Sequence, residues 1–116
     1  MNSVDRDSVK RRILLVDDEE DIVYVIKLVL QKAGFSIDGY SDPKEALANF
    51  RPCQYDLALL DIGMPGMGGF QLAKEIKKSD LDTIVCYLTA LDVVDEQYQQ
   101  VFAKKKPDYM IKNQAR

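Results

Sequence analysis

The chain has 116 residues, 47% apolar and 30% charged, which is room for one domain with its own core and no second one. Sixteen Lys and Arg against nineteen Asp and Glu leave a net charge of −3, so a basic nucleic-acid footprint is not expected. The lack of any histidine excludes zinc–histidine sites, Ser-His-Asp and Cys-His catalysis, and histidine phosphocarriers. Cys53 and Cys86 are too few for a disulfide scaffold or a four-thiolate metal site, and read as small packing residues in a reducing compartment. Residues 1–11 are polar and charged, and read as a leader that need not be ordered, with no apolar stretch of the secretory kind. The longest apolar-rich stretch, Ile22 to Leu30, is interrupted by Lys27 and too short to span a bilayer. A small cytoplasmic domain over residues 12–116, with no membrane contact, is the expectation.

The first structural signal is Ile13-Leu14-Leu15-Val16, an unbroken apolar run that suits a strand covered on both faces, as in a parallel sheet. Ile22, Val25, Ile26, Val29, Leu30 and Ala33 then recur at helical spacing, and Gly34 stands where a helix-ending glycine belongs. Phe35 to Tyr40 reads as a short strand. Ser41-Asp42-Pro43 opens a second helix, Lys44 to Phe50, with a cap and a proline at its first position. Leu57-Ala58-Leu59-Leu60 is another doubly buried strand, followed by a loop rich in glycine and proline (Gly63 to Gly69) and a helix near Phe70 to Lys78. Thr83 to Leu88 predicts a fourth strand, Val93 to Lys104 a fourth helix that Pro107 ends, and Tyr109 to Ile111 a fifth strand. Strands alternate with helices through connections too long for hairpins. That pattern predicts an α/β fold with a doubly wound parallel sheet.

Ligands of such sheets bind beyond the carboxyl ends of the strands, where strand order reverses. Asp17-Asp18-Glu19-Glu20-Asp21 follow the first strand, Asp61 the third, Thr89 the fourth and Lys112 the fifth. Each has a plainer reading taken alone: helix capping for the acidic run, turn initiation for Asp61, a strand-end hydroxyl for Thr89 and a solvated lysine for Lys112. Their shared position is what makes the set informative. The glycine-rich loop lacks the Gly-Lys-Ser/Thr ending of a P-loop and the spacing of a dinucleotide turn, so tight turning beside a ligand suits it better. With strands ordered 2-1-3-4-5, Asp17, Asp18 and Asp61 meet. Their mutual repulsion calls for a proton or a cation. All-oxygen ligands select a hard ion, magnesium before manganese. A carboxylate beside that ion, with a lysine and a hydroxyl to neutralise phosphoryl oxygens, is equipped to take a phosphoryl group.

With these residues assembled, the chain resembles the receiver domain of two-component response regulators from about Arg12 to Lys112. The resemblance is carried by Leu14-Leu15-Val16-Asp17-Asp18-Glu19, by Leu59-Leu60-Asp61 running on to Gly69, by Leu88-Thr89-Ala90 and by Asp108-Tyr109-Met110-Ile111-Lys112. It implies a flavodoxin-like fold and Asp61 as phosphoacceptor. It also implies Asp18, Asp61 and the Gly63 carbonyl as direct magnesium ligands, with Asp17 acting largely through water. Thr89 and Lys112 hold phosphoryl oxygens in this reading, and Tyr109 resembles the aromatic switch residue. A sensor histidine kinase is the implied donor, and the receiver itself is a signalling domain rather than an enzyme with a separate substrate.

The departures are local. Asn113 stands where the family usually has proline, Gly68 where it usually has an acidic or polar residue, and Lys105-Lys106-Pro107 where a Gly-Ala pair is common. The residues after Lys112 are too few for a fifth helix, so one sheet face is expected to stay partly uncovered and to favour self-association, element exchange or a borrowed helix. Gly63 and Leu91, two beyond Asp61 and Thr89, cannot hydrogen-bond water through their side chains, which implies slow loss of the phosphoryl group. A receiver-fold interaction module that works without phosphorylation is the alternative. A haloacid-dehalogenase-like phosphatase is disfavoured, because Asp17-Asp18-Glu19 is not Asp-x-Asp.

Overall fold

A computed structural model describes residues 11–90 and 109–113. Residues 1–10 of the expected leader, the fourth helix from Val93 to Lys104, and Leu91 lie outside the described residues. In chain order the elements are β1 (Arg12–Val16), α1 (Glu20–Lys32), β2 (Ser36–Tyr40), α2 (Pro43–Asn49), β3 (Leu57–Asp61), α3 (Gly69–Ser79), β4 (Ile84–Ala90) and β5 (Tyr109–Asn113). All pairings are parallel, and the five strands run in the order β2-β1-β3-β4-β5. The expected sheet is therefore observed. Its order reverses between β1 and β3, which is where such folds place their ligands.

Strand β1 lies inside the sheet, between β2 and β3, and its residues are apolar on both sides. Ile13 and Leu15 join Ile37, Leu59, Cys86 and Leu88 on one face, while Leu14 and Val16 join Ala58, Leu60, Val85 and Tyr87 on the other. On the second face α2 and α3 close the core with Ala46, Leu72, Ala73 and Ile76. On the first face α1 lays Val23, Ile26 and Leu30 against the sheet. The helix comes close there. A Cβ on Gly39 of β2 would stand 2.7 Å from Val23 Cγ1, so only glycine lets α1 sit at this height.

The helix ends follow from local chemistry. Gly34, at φ 101°, carries a Schellman ending for α1: its N–H donates to the Gln31 carbonyl (3.0 Å) and the Phe35 N–H to the Leu30 carbonyl (3.1 Å). Asp42 caps α2 by accepting from the Lys44 N–H at 3.0 Å, with Pro43 at the first helical position as expected. At the amino ends of the strands, Asp56 Oδ2 accepts the Arg12 N–H (2.8 Å), and the Tyr55 hydroxyl donates to Asp38 Oδ2 (2.6 Å). Asp80 is buried and accepts the Cys53 and Asp82 N–H groups at 2.8 and 3.0 Å, which hold its carboxyl below the usual range. Of the two cysteines only Cys86 is a packing residue. Cys53 is exposed, with φ 65°, in the turn that Asp80 ties down.

Candidate functional site

Strand alternation and register bring the expected residues to one rim. Val16 pairs with Leu60, so the residues after them, Asp17 and Asp61, leave adjacent strands side by side. Asp61 is the last residue of β3 and sits opposite Leu88, one residue before Thr89. Thr89 is itself paired with Lys112 across β4 and β5. At the level of the backbone the four strands thus deliver the acidic run, Asp61, Thr89 and Lys112 to the carboxyl edge. Both Thr89 and Lys112 lie within strands that extend further than the sequence pattern predicted. Tyr109 opens β5, opposite Cys86, three residues back from that edge.

Carboxylate oxygens of Asp17, Asp18 and Asp61 lie within 4.8 Å of one another. Their environments differ. Asp17 is buried and Asp18 is exposed, with Asp61 between them in exposure. Asp17 Oδ1 accepts the Glu19 N–H at 2.9 Å, and Asp61 Oδ1 accepts the Gly63 N–H at 3.1 Å. The plainer reading of the acidic run as a helix cap is thereby tested. The N-cap residue of α1 is Glu19, whose side chain makes no capping bond, so Asp18 is left facing the cleft rather than spent on the helix.

Crowding raises the proton affinity of the cluster. Burial, then the charge of Asp17 and the proximity of Asp18, push the Asp61 carboxyl from its ordinary 3.8 to about 7, against the lowering effect of the Gly63 N–H. Asp17 is raised as well, chiefly by burial. The cluster fits a hard divalent cation on its own chemistry. Three convergent oxygen donors carry charge that bare burial and repulsion disfavour, and no nitrogen or sulfur donor is among them.

The loop after Asp61 is held by its glycines and by Met64. Gly66 turns at φ 83°, and Met64 is buried in the core beneath the loop. A Cβ on Gly69 would overlap the Asp61 carbonyl oxygen, and one on Gly68 would stand 2.8 Å from the Ile62 carbonyl oxygen. The amino end of α3 therefore rests directly on the backbone that carries Asp61. Sequence patterning marked these glycines as turn-formers beside a ligand. It missed the close approach at Gly69 and the anchoring by Met64, because neither has a local signature. The signal available for Met64 was a large apolar side chain among the glycines and proline of the loop.

A parallel sheet ordered 2-1-3-4-5 with an acidic oxygen site at its switch point defines a doubly wound, flavodoxin-like α/β domain. The family model described as the response regulator receiver domain matches residues 13–116, and the chain belongs to that family. It is 36% identical over 101 residues to the regulatory protein VanRB of Enterococcus faecalis, covering 87% of this chain and 45% of VanRB. This chain thus spans less than half the length of that relative. Among solved structures it resembles the non-phosphorylated HemR receiver domain of Leptospira biflexa, at 29% identity and a TM-score of 0.79, over 92% of this chain and 85% of that one. It also resembles the response regulator TrrA of Thermotoga maritima in complex with Mg2+-BeF, at 33% identity and a TM-score of 0.73, over 90% of this chain and 88% of that one. TrrA has also been solved in complex with the histidine kinase ThkA. The chain is thus a signalling domain of two-component systems, a family that generally binds magnesium and pairs with sensor histidine kinases. No helix among the described residues is long and apolar enough to cross a membrane.

Proposed function

We propose that this domain is a phosphorylation-dependent switch in which Asp61 accepts a phosphoryl group from a sensor histidine kinase. The observation that carries the reading is the convergence of Asp17, Asp18 and Asp61 within 4.8 Å at the carboxyl rim, where Thr89 and Lys112 also emerge as a backbone pair. These 116 residues contain no histidine, so a phosphohistidine donor lies outside them. An Asp61 carboxylate oxygen attacks phosphorus. The new O–P bond forms as the donor's P–N bond breaks, and the electron pair leaves with the imidazole nitrogen, which takes up a proton.

Asp18, Asp61 and the Gly63 carbonyl are the residues that would hold magnesium, or manganese in its place, with Asp17 acting through water. When bound, the ion supplies neutralisation of phosphoryl oxygens and lowers the proton affinity of Asp61. Thr89 and Lys112 take the remaining phosphoryl oxygens in this reading, and Thr89 with Tyr109 relays the change to a downstream protein partner. Residues from Arg12 onward form the receiver unit, with the preceding polar residues as a leader. Exchange with a kinase implies a cytoplasmic site of action. Gly63 and Leu91 offer no side chain to orient a hydrolytic water, so the phosphoryl group is lost slowly.

Incubation with acetyl phosphate and magnesium, followed by intact-mass spectrometry, tests the proposal. One phosphoryl group is expected on the wild type, none on Asp61→Asn, and none once the metal is chelated. An adduct that persists in Asp61→Asn overturns the assignment of the acceptor. A wild type that gains no phosphoryl group from acetyl phosphate or from any histidine kinase would make the domain a phosphorylation-independent interaction module.

A further inference from the structure

We propose that the outer face of α1 is a pairing surface through which two copies of this chain associate, their α1 helices antiparallel about a two-fold axis. The helix is apolar nearly all round. Val23, Ile26 and Leu30 face the sheet, yet no residue of α1 is fully buried. Tyr24, Val25, Leu28 and Val29 remain 66%, 54%, 42% and 59% exposed. They fall at i, i+1, i+4 and i+5, so they form one continuous stripe over the two middle turns. Four large apolar side chains side by side on one helix face make a contiguous exposed patch rather than scattered single residues, and contiguity is what distinguishes a contact surface.

The charges at the two ends of the stripe say what fits it. Glu20 and Asp21 occupy the first turn of α1 and Lys32 the last. A second α1 laid antiparallel, with the axis passing between Val25 and Leu28, brings Val25 against Leu28 and Tyr24 against Val29 of the second copy. The same placement sets Glu20 and Asp21 opposite Lys32 at both ends, and the helix dipoles oppose favourably. Parallel packing sets acid against acid and lysine against lysine instead. The face is therefore complementary to itself in the antiparallel sense, as an isologous interface must be. Because one helix face supplies less than the roughly 800 Å² per partner of a standard stable interface, the dimer is weak and concentration-dependent.

Sedimentation velocity on the full chain, from a few micromolar to about 1 mM, tests the proposal. The weight-average mass is expected to rise from that of one chain toward that of two, independently of phosphorylation state and magnesium. Leu28→Glu, on the exposed side of the helix, should hold the chain monomeric throughout while circular dichroism shows the fold intact. Lys32→Glu should shift association to about tenfold higher concentration. Adding Glu20→Lys and Asp21→Lys to that variant should restore it, a rescue that only the antiparallel register produces. A wild type that stays monomeric at about 1 mM overturns the proposal and leaves the face to another part of the chain or to an unlike partner. A dimer indifferent to Leu28→Glu overturns it equally, because the copies then join elsewhere.

Discussion

The two faces of one sheet are treated very differently. On the side of α2 and α3, Leu14, Leu60, Leu72, Ile76 and Val85 are all sealed from water, and Phe50 stacks near Tyr55 at 5.9 Å. On the side of α1 the strands are just as apolar, with Ile13, Leu15 and Leu59 buried, but the helix over them has no buried residue. Ile84, which alternation puts on the same face as Cys86 and Leu88, is 44% exposed. A strand pattern therefore reports that both faces of a sheet are apolar. It does not report how completely each is covered. The acidic site lies on the rim between the faces, and depends on the tighter one, since α3 rests against the backbone of Asp61.

Substitutions that probe the two faces separately should give unequal losses. Leu72→Ala, at full burial on the α3 side, is expected to cost about 2–5 kcal/mol in urea unfolding, because the cavity it leaves is closed in by Ala73, Ile76 and the strands. A loss below about 1 kcal/mol there would erase the contrast between the faces. Gly69→Ala strikes where the tighter face meets the site. The new methyl collides with the Asp61 carbonyl, so a destabilisation of about 1–3 kcal/mol and a slower gain of phosphoryl from acetyl phosphate are expected together.

The rim itself makes a signed prediction about pH. Asp61 in the folded, metal-free chain holds its proton up to about 7, against 3.8 when unfolded. Between these values the native state binds the extra proton, so stability falls as pH rises from about 4 to about 7 and is not regained above it. Asp61→Asn should flatten this dependence in thermal melts run with a chelator. It should also raise stability at about pH 8 by ~1–3 kcal/mol, allowing for solvent screening of a partly exposed group. Magnesium should recover the same stability for the wild type at that pH, and much less of it for Asp18→Ala. The smallest effect belongs to the open face. Val25→Ala, outside the packed stripe of α1, should change monomer stability by less than about 0.5 kcal/mol in dilute solution.

Much of the fold was legible because it is written in short-range patterns. The unbroken runs at Ile13–Val16 and Leu57–Leu60 needed cover on both sides. Gly34 and Asp42-Pro43 marked a helix end and a helix start, and both appear at those points. The rim residues were legible for a related reason. A residue at or just past the carboxyl end of a parallel strand's apolar run has only one edge of the sheet to go to. The limits of β4 and β5 were not legible, because Thr89-Ala90 and Lys112-Asn113 lose the apolar run while the ladder between them continues. Backbone hydrogen bonding extended those strands past their hydrophobic cores.

Composition and periodicity by themselves determined the parallel α/β class and the inventory of carboxylates, hydroxyl and lysine at the strand ends. Those properties are local: they depend on which residues are apolar and at what spacing. Tertiary structure alone decided that Asp17 is buried and hydrogen-bonded while Asp18 stays open. It alone decided that crowding raises Asp61 to about 7, and that α1 leaves Tyr24, Val25, Leu28 and Val29 in water. Each of these depends on the distance between groups far apart in the chain, and burial and charge repulsion act through that distance rather than through sequence neighbours.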